Sequence, residues 1–224
     1  VTRMVMMGIY RTGKVPFKVV LINGVLRDEK GQKMSKSKGN GVNPDEAIDK
    51  YGADAVRMAL VASRDSGNDL MISKQQMEER IRGYRNFSNK IWNVARFVQS
   101  IRAGDPPAGQ AGFKSVSNSD DEWIVGELNK LTQSVTENLE KYRLGQVAEE
   151  VYEFVWHKFA DVYIEKVKSR KEEASPTLRH VLITSLKLLH PFMPFVTEVI
   201  WSFGFAQDKQ EMLITSAWPV VTEV

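Results

Sequence analysis

The sequence contains no cysteine, and this absence excludes two common ways of holding a fold together. Without cysteine there is no disulfide framework and no zinc site built on thiolates. Histidine is also scarce. The three that are present, His157, His180 and His190, form no pair at metal-ligand spacing and fit ordinary helix positions. We therefore expect no metal that is bound by the protein itself.

Long apolar runs are missing as well. No stretch approaches the roughly 20 apolar residues of a membrane-spanning helix, and no signal-peptide pattern follows Val1. We therefore expect that the protein does not associate with membranes. We also expect it to be a cytoplasmic monomer, and the lack of cysteine is compatible with that location. Because the 224 residues begin without an initiator methionine, we expect a segment cut from a longer chain.

Positive charge is concentrated in two stretches, although the net charge is only +3. Arg27 to Lys38 holds five basic and two acidic residues, and Glu78 to Arg102 holds six basic and two acidic ones. These two stretches are the places where an anionic partner would bind.

Hydrophobic periodicity predicts a mainly α chain with a helical bundle. Each of four predicted long helices has one apolar stripe and one charged face, so the four can share a core. They run from Lys74 to Ile101, from a capping box formed by Ser119 and Glu122 to Tyr142, through Val147 to Val162, and from Ser175 to Leu189. Residues 103–119, rich in proline, glycine and serine, predict a linker.

Shorter elements are predicted on either side of the bundle. Thr2 to Tyr10 reads as a helix, and Val19 to Leu26 as a buried strand bent at Asn23-Gly24. Asn43 and Pro44 have the pattern of a helix N-cap and first turn, which predicts a helix to about Val61. After the bundle we predict a helix from Pro194 to Phe203 and a short strand from Met212 to Trp218.

The most distinctive segment is Lys33-Met34-Ser35-Lys36-Ser37-Lys38-Gly39-Asn40. Lysine ammonium groups, serine hydroxyls and a pliable glycine can surround a polyphosphate. The segment lacks the spacing of a Walker A loop. It lies between an apolar strand and a proline-initiated helix, where an α/β domain places a phosphate-handling loop. Composition alone is equally consistent with a disordered basic turn.

The first long helix has a polar face without acid over most of its length. A solvated face usually mixes both signs of charge, whereas arginine binds phosphate and asparagine reads base edges. Trp92 borders this face and could stack on a base of single-stranded RNA. The alternative is a plain bundle helix. The candidate RNA-binding residues are Arg82, Arg85, Asn86, Asn89, Trp92, Asn93 and Arg96.

The chain resembles the class I aminoacyl-tRNA synthetases, and among them the valyl-tRNA synthetase family. Lys33 to Ser37 matches their Lys-Met-Ser-Lys-Ser signature, and residues 13–18, 50–57, 83–97, 152–157 and 189–195 resemble further runs of that family. The resemblance implies the C-terminal remnant of a Rossmann-type α/β catalytic domain at residues 1–61 and an anticodon-binding bundle at residues 62–224.

The resemblance also implies partners and roles. The implied partners are ATP with Mg²⁺, valine and tRNA-Val. The implied reaction forms a valyl-adenylate and then transfers valine to the tRNA. Lys33 and Lys36 would be catalytic, and Lys33, Met34, Ser35, Lys36 and Ser37 would bind ATP. Isoleucyl- and leucyl-tRNA synthetases share the loop and remain alternatives. From another class, a non-catalytic helical RNA-binding module also remains open.

Several features of the family are not present in this sequence. The His-x-Gly-His signature, the valine pocket and the editing domain are absent from these 224 residues, and Gly41-Val42-Asn43-Pro44 replaces the more usual Val-[Val/Ile]-Asp-Pro after the loop. We therefore expect that this chain alone does not activate valine.

Overall fold

The computed structural model describes residues 1–62, 67–101, 118–205 and 212–221, except for the side chain of Lys36. Helices dominate this part of the chain, as the periodicity predicts. The named elements are α1 (Thr2–Thr12), β1 (Leu26–Arg27), α2 (Pro44–Tyr51), α3 (Ala53–Val61), β2 (Leu70–Met71), α4 (Lys74–Ser100), α5 (Ser119–Glu140), α6 (Leu144–Glu153), α7 (Ile164–Val167), α8 (Ser175–Leu189) and α9 (Pro194–Gly204). The predicted linker lies, up to residue 117, outside the described residues.

The bundle core forms where the apolar stripes of α4, α5, α6 and α8 meet. Phe87 and Ile91 of α4, Leu128 of α5 and Leu182 of α8 are all at most 2% exposed. Excluding such side chains from water is the main favourable contribution to folding. The predicted four-helix core is therefore confirmed.

The third bundle helix is irregular. Beyond Glu153 it continues as a π-helical segment, Phe154–Tyr163, before α7. A π-helix bonds residue i to i+5 and so shifts which side chains face inward. The α-helical spacing placed Val162 in the core, and this was wrong. Val162 is 39% exposed, and Tyr163 is fully buried in its place.

A second, smaller core lies beneath the lysine–serine segment. It joins α2, α3 and the first turns of α4 through buried residues that include Ala47, Val56, Ile72 and Ile81. Tyr84 packs against both cores, so α4 is shared between them. The lysine–serine segment is thereby held on one side of the helical bundle.

The strand predicted from Val19 to Leu26 is mostly wrong. Within the described residues only Leu26 and Arg27 find a strand partner, pairing in parallel with Leu70 and Met71. Val19 to Ile22 are exposed, so their apolar character does not by itself make a strand. Gly24 lies so close to the Asn68 carbonyl that a Cβ would overlap it, which explains the glycine before this pair.

The helix predicted from Pro44 to Val61 is interrupted. Asn43 caps α2 by accepting a hydrogen bond from the Asp45 N–H, and Pro44 is the first helical residue, as predicted. Gly52 then adopts φ +89°, a left-handed conformation that favours glycine, and divides α2 from α3.

Two further local predictions were wrong. The cap of α5 is the side chain of Asn118, which accepts from the Asp120 N–H, and Ser119 is already helical. The predicted strand from Met212 to Trp218 is a short 3₁₀ turn, Leu213–Thr215, in an extended tail. The backbone N–H groups of Leu213 and Ile214 donate to the Glu198 carboxylate of α9 instead of to a strand. No helix in the described ranges is both long and apolar enough to cross a membrane.

Candidate phosphate-binding loop and RNA-binding helix face

A tight turn brings the lysine–serine segment back beside β1. The Asp28 N–H donates to the Gln32 carbonyl and the Met34 N–H to the Leu26 carbonyl, both at 2.9 Å. Gly31 makes the turn possible at φ +72°. Lys33 thus pairs with Arg27 in an antiparallel bridge, which fixes where the loop begins.

Asn40 closes the loop at its far end. Its Nδ2 donates to Asp28 Oδ2 at 2.7 Å, and its Oδ1 accepts from the Ser35 N–H at 3.0 Å. The hydrogen bond from Asn40, followed by the one from the Gln32 N–H, holds the pKa of Asp28 below its usual value. One side chain therefore ties the beginning and the end of the segment together.

The segment between these ties presents hydroxyl and ammonium groups outward. A short 3₁₀ turn, Lys36–Lys38, carries its centre. The Ser35 and Ser37 hydroxyls lie 3.3 Å apart. Lys33 and Ser37 are exposed, and the side chain of Lys36 lies outside the part that the structure describes. Three of the predicted residues, Lys33, Ser35 and Ser37, are therefore grouped on one loop.

Met34 has a different position from its neighbours. Its side chain is half-buried and packs against the second core, with Gly41 alongside. A Cβ at position 41 would lie 3.3 Å from the Met34 Cβ. The structure thus places Met34 as the anchor of the loop.

The seven candidate RNA-binding residues share one surface of α4. Because successive helical residues are rotated by about 100°, they fall within an arc of about 120°. All seven are exposed, and Trp92 is 37% exposed. The opposite side of α4 carries the core residues. We call this surface the α4 face; it consists of Arg82, Arg85, Asn86, Asn89, Trp92, Asn93 and Arg96.

Side-chain contacts connect the loop side of the molecule to the bundle. Arg85 Nη1 lies 3.4 Å from the carbonyl oxygen of Tyr51, at the end of α2. The Asp54 carboxylate accepts from the N–H groups of Phe195 and Val196 at 3.1 and 2.7 Å. Arg57 donates to the carbonyls of Pro191 and Phe192. These contacts fix α3 against the α8–α9 turn.

Sequence reasoning missed Asp28, Asn40, Asp54 and Arg57 as organising residues. Asn40 lay within the distinctive segment, but its partner Asp28 is 12 positions earlier. Asp54 meets α9 across more than 140 positions. No local spacing in the sequence indicates such a contact. For Asn40 there was a signal, because a short polar side chain before a glycine, here Gly41, is typical of a turn.

Two protein-family models match this chain, and both describe tRNA ligases. The model described as "tRNA synthetases class I (I, L, M and V)" matches residues 1–73. The model described as "Anticodon-binding domain of tRNA ligase" matches residues 121–224. The first contains the loop, and the second contains the bundle from α5 onward.

Curated relatives match along the whole chain. The valine–tRNA ligase of Clostridium tetani is 43% identical over 231 aligned residues, which cover 100% of this chain and 26% of that protein. Those of Carboxydothermus hydrogenoformans and Bacillus subtilis are 44% and 42% identical, covering 98% and 99% of this chain and 25% of each protein. This chain spans about a quarter of the length of these relatives.

A solved structure has the same fold. The chain aligns with the LeuRS of Agrobacterium radiobacter K84 (agnB2), in its ternary complex with tRNA and LeuAMS, at a TM-score of 0.68. The alignment covers 89% of this chain and 23% of that one, at 18% identity. At that identity the similarity concerns the fold alone.

Proposed function

We propose a function from one premise: this chain belongs to the class I aminoacyl-tRNA synthetases, and its relatives there are valine–tRNA ligases. We infer that it supplies two parts of a valine–tRNA ligase, the loop that handles the phosphates of ATP and the bundle that binds tRNA-Val. The observation that carries this proposal is the closed lysine–serine loop beside a helix whose exposed face has no acidic residue from Arg82 to Arg96.

The reaction would join valine to ATP and then to tRNA. Valine attacks the α-phosphate, pyrophosphate leaves, and the valyl group of the adenylate passes to the terminal adenosine of tRNA-Val. In this chain, Lys33 and Lys36 would neutralise charge on the departing pyrophosphate. By analogy with the removal of one preorganised donor from an oxyanion hole, losing one of these lysines would cost about 10²–10³ in rate.

The residues of the loop fit a polyphosphate. Serine hydroxyls and lysine ammonium groups are donors, and Ser35, Ser37 and Lys33 sit together on the loop between two fixed ends. Met34 would keep the loop on its core. Mg²⁺ would arrive with the phosphates of ATP, and we assign it no protein ligand.

The α4 face would bind the anticodon region. Arg82, Arg85 and Arg96 are suited to backbone phosphates, the three asparagines to base edges, and Trp92 to stacking. We further propose a catalytic part at residues 1–61 and an RNA-binding bundle at residues 62–224. A cytoplasmic monomer completes the proposal.

Binding to tRNA tests this function. The chain would be titrated with tRNA carrying a valine anticodon and with the same tRNA whose anticodon is changed, at two salt concentrations. We expect tighter binding to the valine anticodon at both salts. Equal affinity for the two tRNAs, with a steep dependence on salt, would mean that the chain is attracted only to the tRNA phosphates. That result would contradict recognition of the anticodon.

The alternatives give different outcomes in this assay or in pyrophosphate exchange. A leucyl or isoleucyl specificity would appear as preference for the corresponding tRNA. If the chain belongs to a non-catalytic RNA-binding protein, the full-length protein should show no valine-dependent pyrophosphate exchange. The chain alone is expected to be inactive in that exchange, and robust turnover by it would overturn this expectation.

A further inference from the structure

Arg85 belongs to the α4 face and also reaches α2, the helix that follows the lysine–serine loop. Its Nη1 lies 3.4 Å from the Tyr51 carbonyl oxygen. A Cβ at position 52 would lie 3.2 Å from the same nitrogen, so the guanidinium lies against the bare backbone of Gly52. α2 begins at Pro44, soon after Asn40 closes the loop. One side chain therefore connects the proposed RNA-binding surface to the helix at the exit of the loop.

The Tyr51 carbonyl needs a donor from outside its own helix. It is one of the last four carbonyls of α2, and these have no partner within an α-helix. The same end of a helix carries partial negative charge, which favours a cation there. The peptide group that contains this carbonyl also contains the Gly52 N–H, which donates to the Ile48 carbonyl at 2.8 Å. Arg85 thus contacts the peptide group at which α2 ends.

The contact from Arg85 is weak in the chain without RNA. Its length of 3.4 Å exceeds the usual range for an N–H···O hydrogen bond, and the side chain is exposed. An exposed arginine loses much rotamer freedom when a single bond fixes it. Within the described residues the guanidinium makes no other hydrogen bond or ion pair. Its remaining N–H groups are therefore available to a second acceptor.

An RNA phosphate fits as this second acceptor. Arginine binds phosphate through two N–H groups at once, and the α4 face is the surface on which we propose that RNA binds. A phosphate that fixes the guanidinium removes most of the freedom that the contact with Tyr51 would otherwise cost. The contact with the end of α2 should therefore become stronger when RNA is bound. By linkage, a firmer end of α2 favours RNA binding to the same degree.

We propose that Arg85 is a positioning residue that couples RNA binding on the α4 face to the end of α2. It bridges a backbone phosphate of the RNA and the Tyr51 carbonyl, so bound RNA steadies the helix that follows the lysine–serine loop. This inference rests on the proposed function, because it requires RNA on the α4 face. It adds a second contact for Arg85, which Arg96 does not make within the described residues.

Hydrogen exchange at the Gly52 amide tests the coupling, because this N–H belongs to the peptide group that Arg85 contacts. The exchange is measured by NMR on the ¹⁵N-labelled chain, without RNA and with saturating tRNA that carries a valine anticodon. We expect the bound tRNA to slow exchange at Gly52 about twofold to tenfold, which corresponds to one hydrogen bond.

Matched variants separate the bridge from RNA affinity. Arg85→Gln and Arg96→Gln each remove one cation of the α4 face, so each should reduce the slope of log K against log salt concentration by about 0.7–0.9. At saturating tRNA, Arg96→Gln should keep the slower exchange at Gly52, and Arg85→Gln should lose it. Arg85→Lys keeps the charge but not the planar guanidinium, so it should keep the slope and lose the slower exchange.

Each remaining outcome has one meaning. Slower exchange that persists in Arg85→Gln would show that the tRNA covers α2 directly, and it would overturn the bridge. Binding of tRNA without slower exchange at Gly52 in the unchanged chain would also overturn the bridge, but it would leave the proposed function in place. If the tRNA does not bind at all, the proposed function and this inference both fail.

Discussion

The carboxylate of Asp54 accepts a hydrogen bond of 2.7 Å from the backbone N–H of Val196. Asp54 lies in the first turn of α3, beyond the lysine–serine loop, and Val196 lies in the first turn of α9. The N-terminus of a helix carries unsatisfied N–H groups and partial positive charge. A carboxylate from one part of the chain therefore caps a helix of the other part.

The first prediction concerns this cap. In Asp54→Asn the amide can accept from only one of the two N–H groups of α9, so the free energy of unfolding should fall by about 1–2 kcal/mol. Urea denaturation followed by circular dichroism measures it. Asp49→Asn, at an exposed position on α2, is the control. Equal effects of both changes would mean that the cap contributes nothing of its own.

The second prediction concerns Asn40. Asn40→Ala removes the hydrogen bonds to Asp28 and Ser35. We expect faster hydrogen exchange at the Ser35 amide and an upward movement of the pKa of Asp28, since the largest cause of its depression is lost. Both are measurable by NMR. Gln32→Ala removes only the contact to the Lys38 ammonium and should leave the Ser35 amide protected.

The third prediction concerns the loop lysines in the full-length protein, for which we propose valine–tRNA ligase activity. Lys36→Ala should lower valine-dependent pyrophosphate exchange by about 10²–10³, by analogy with the loss of one preorganised donor. Lys38→Ala lies outside the five-residue signature and should have a much smaller effect. Equal exchange rates in the two variants would contradict the proposed role of Lys36.

The fourth prediction concerns the α4 face. Arg96→Ala should weaken tRNA binding and reduce the slope of log K against log salt concentration by about 0.7–0.9, the contribution of one phosphate contact. Trp92→Ala should weaken binding without changing that slope, because stacking releases no counterion. Lys141→Ala, an exposed lysine at the end of α5, is the control for a general loss of charge.

The fifth prediction concerns pH. Burial lowers the pKa of His180 below the ordinary value of about 6.5. The unfolded chain then binds a proton that the fold does not, so the stability from this group is complete above pH 6.5 and is lost as the pH falls below it. The free energy of unfolding should decrease from pH 7.5 to 5. His180→Gln should flatten this decrease, whereas His157→Gln, at an exposed ring, should not.

Local features of the fold could be predicted from the sequence. The apolar stripe of α4 and the cap of α2 depend on residues within a few positions of one another, and both predictions were confirmed. The exposure of the α4 face also follows from helical spacing. By contrast, the π-helical segment results from a shift in backbone hydrogen bonding that leaves no mark in hydrophobic spacing, so Val162 was misplaced.

The errors in the strands and in the site have a common physical cause. A strand exists only with a partner, and Val19 to Ile22 have none within the described residues, whereas Leu26 does. The tail at Leu213 is held by the Glu198 carboxylate, a contact that strand propensity does not predict. Asp54 and Arg57 escaped notice because their partners are more than 130 positions away.

The bond between Asn40 and Asp28 depends on an amide group that can be lost chemically. Asn40 is followed by Gly41, and an asparagine before glycine loses ammonia most readily because the small neighbour lets the backbone nitrogen attack the side chain. The product is a carboxylate where the amide had donated to Asp28. Two negative charges would then face each other at hydrogen-bond distance and repel. Stored protein would lose its closed loop by slow deamidation while every lysine of the signature remained intact.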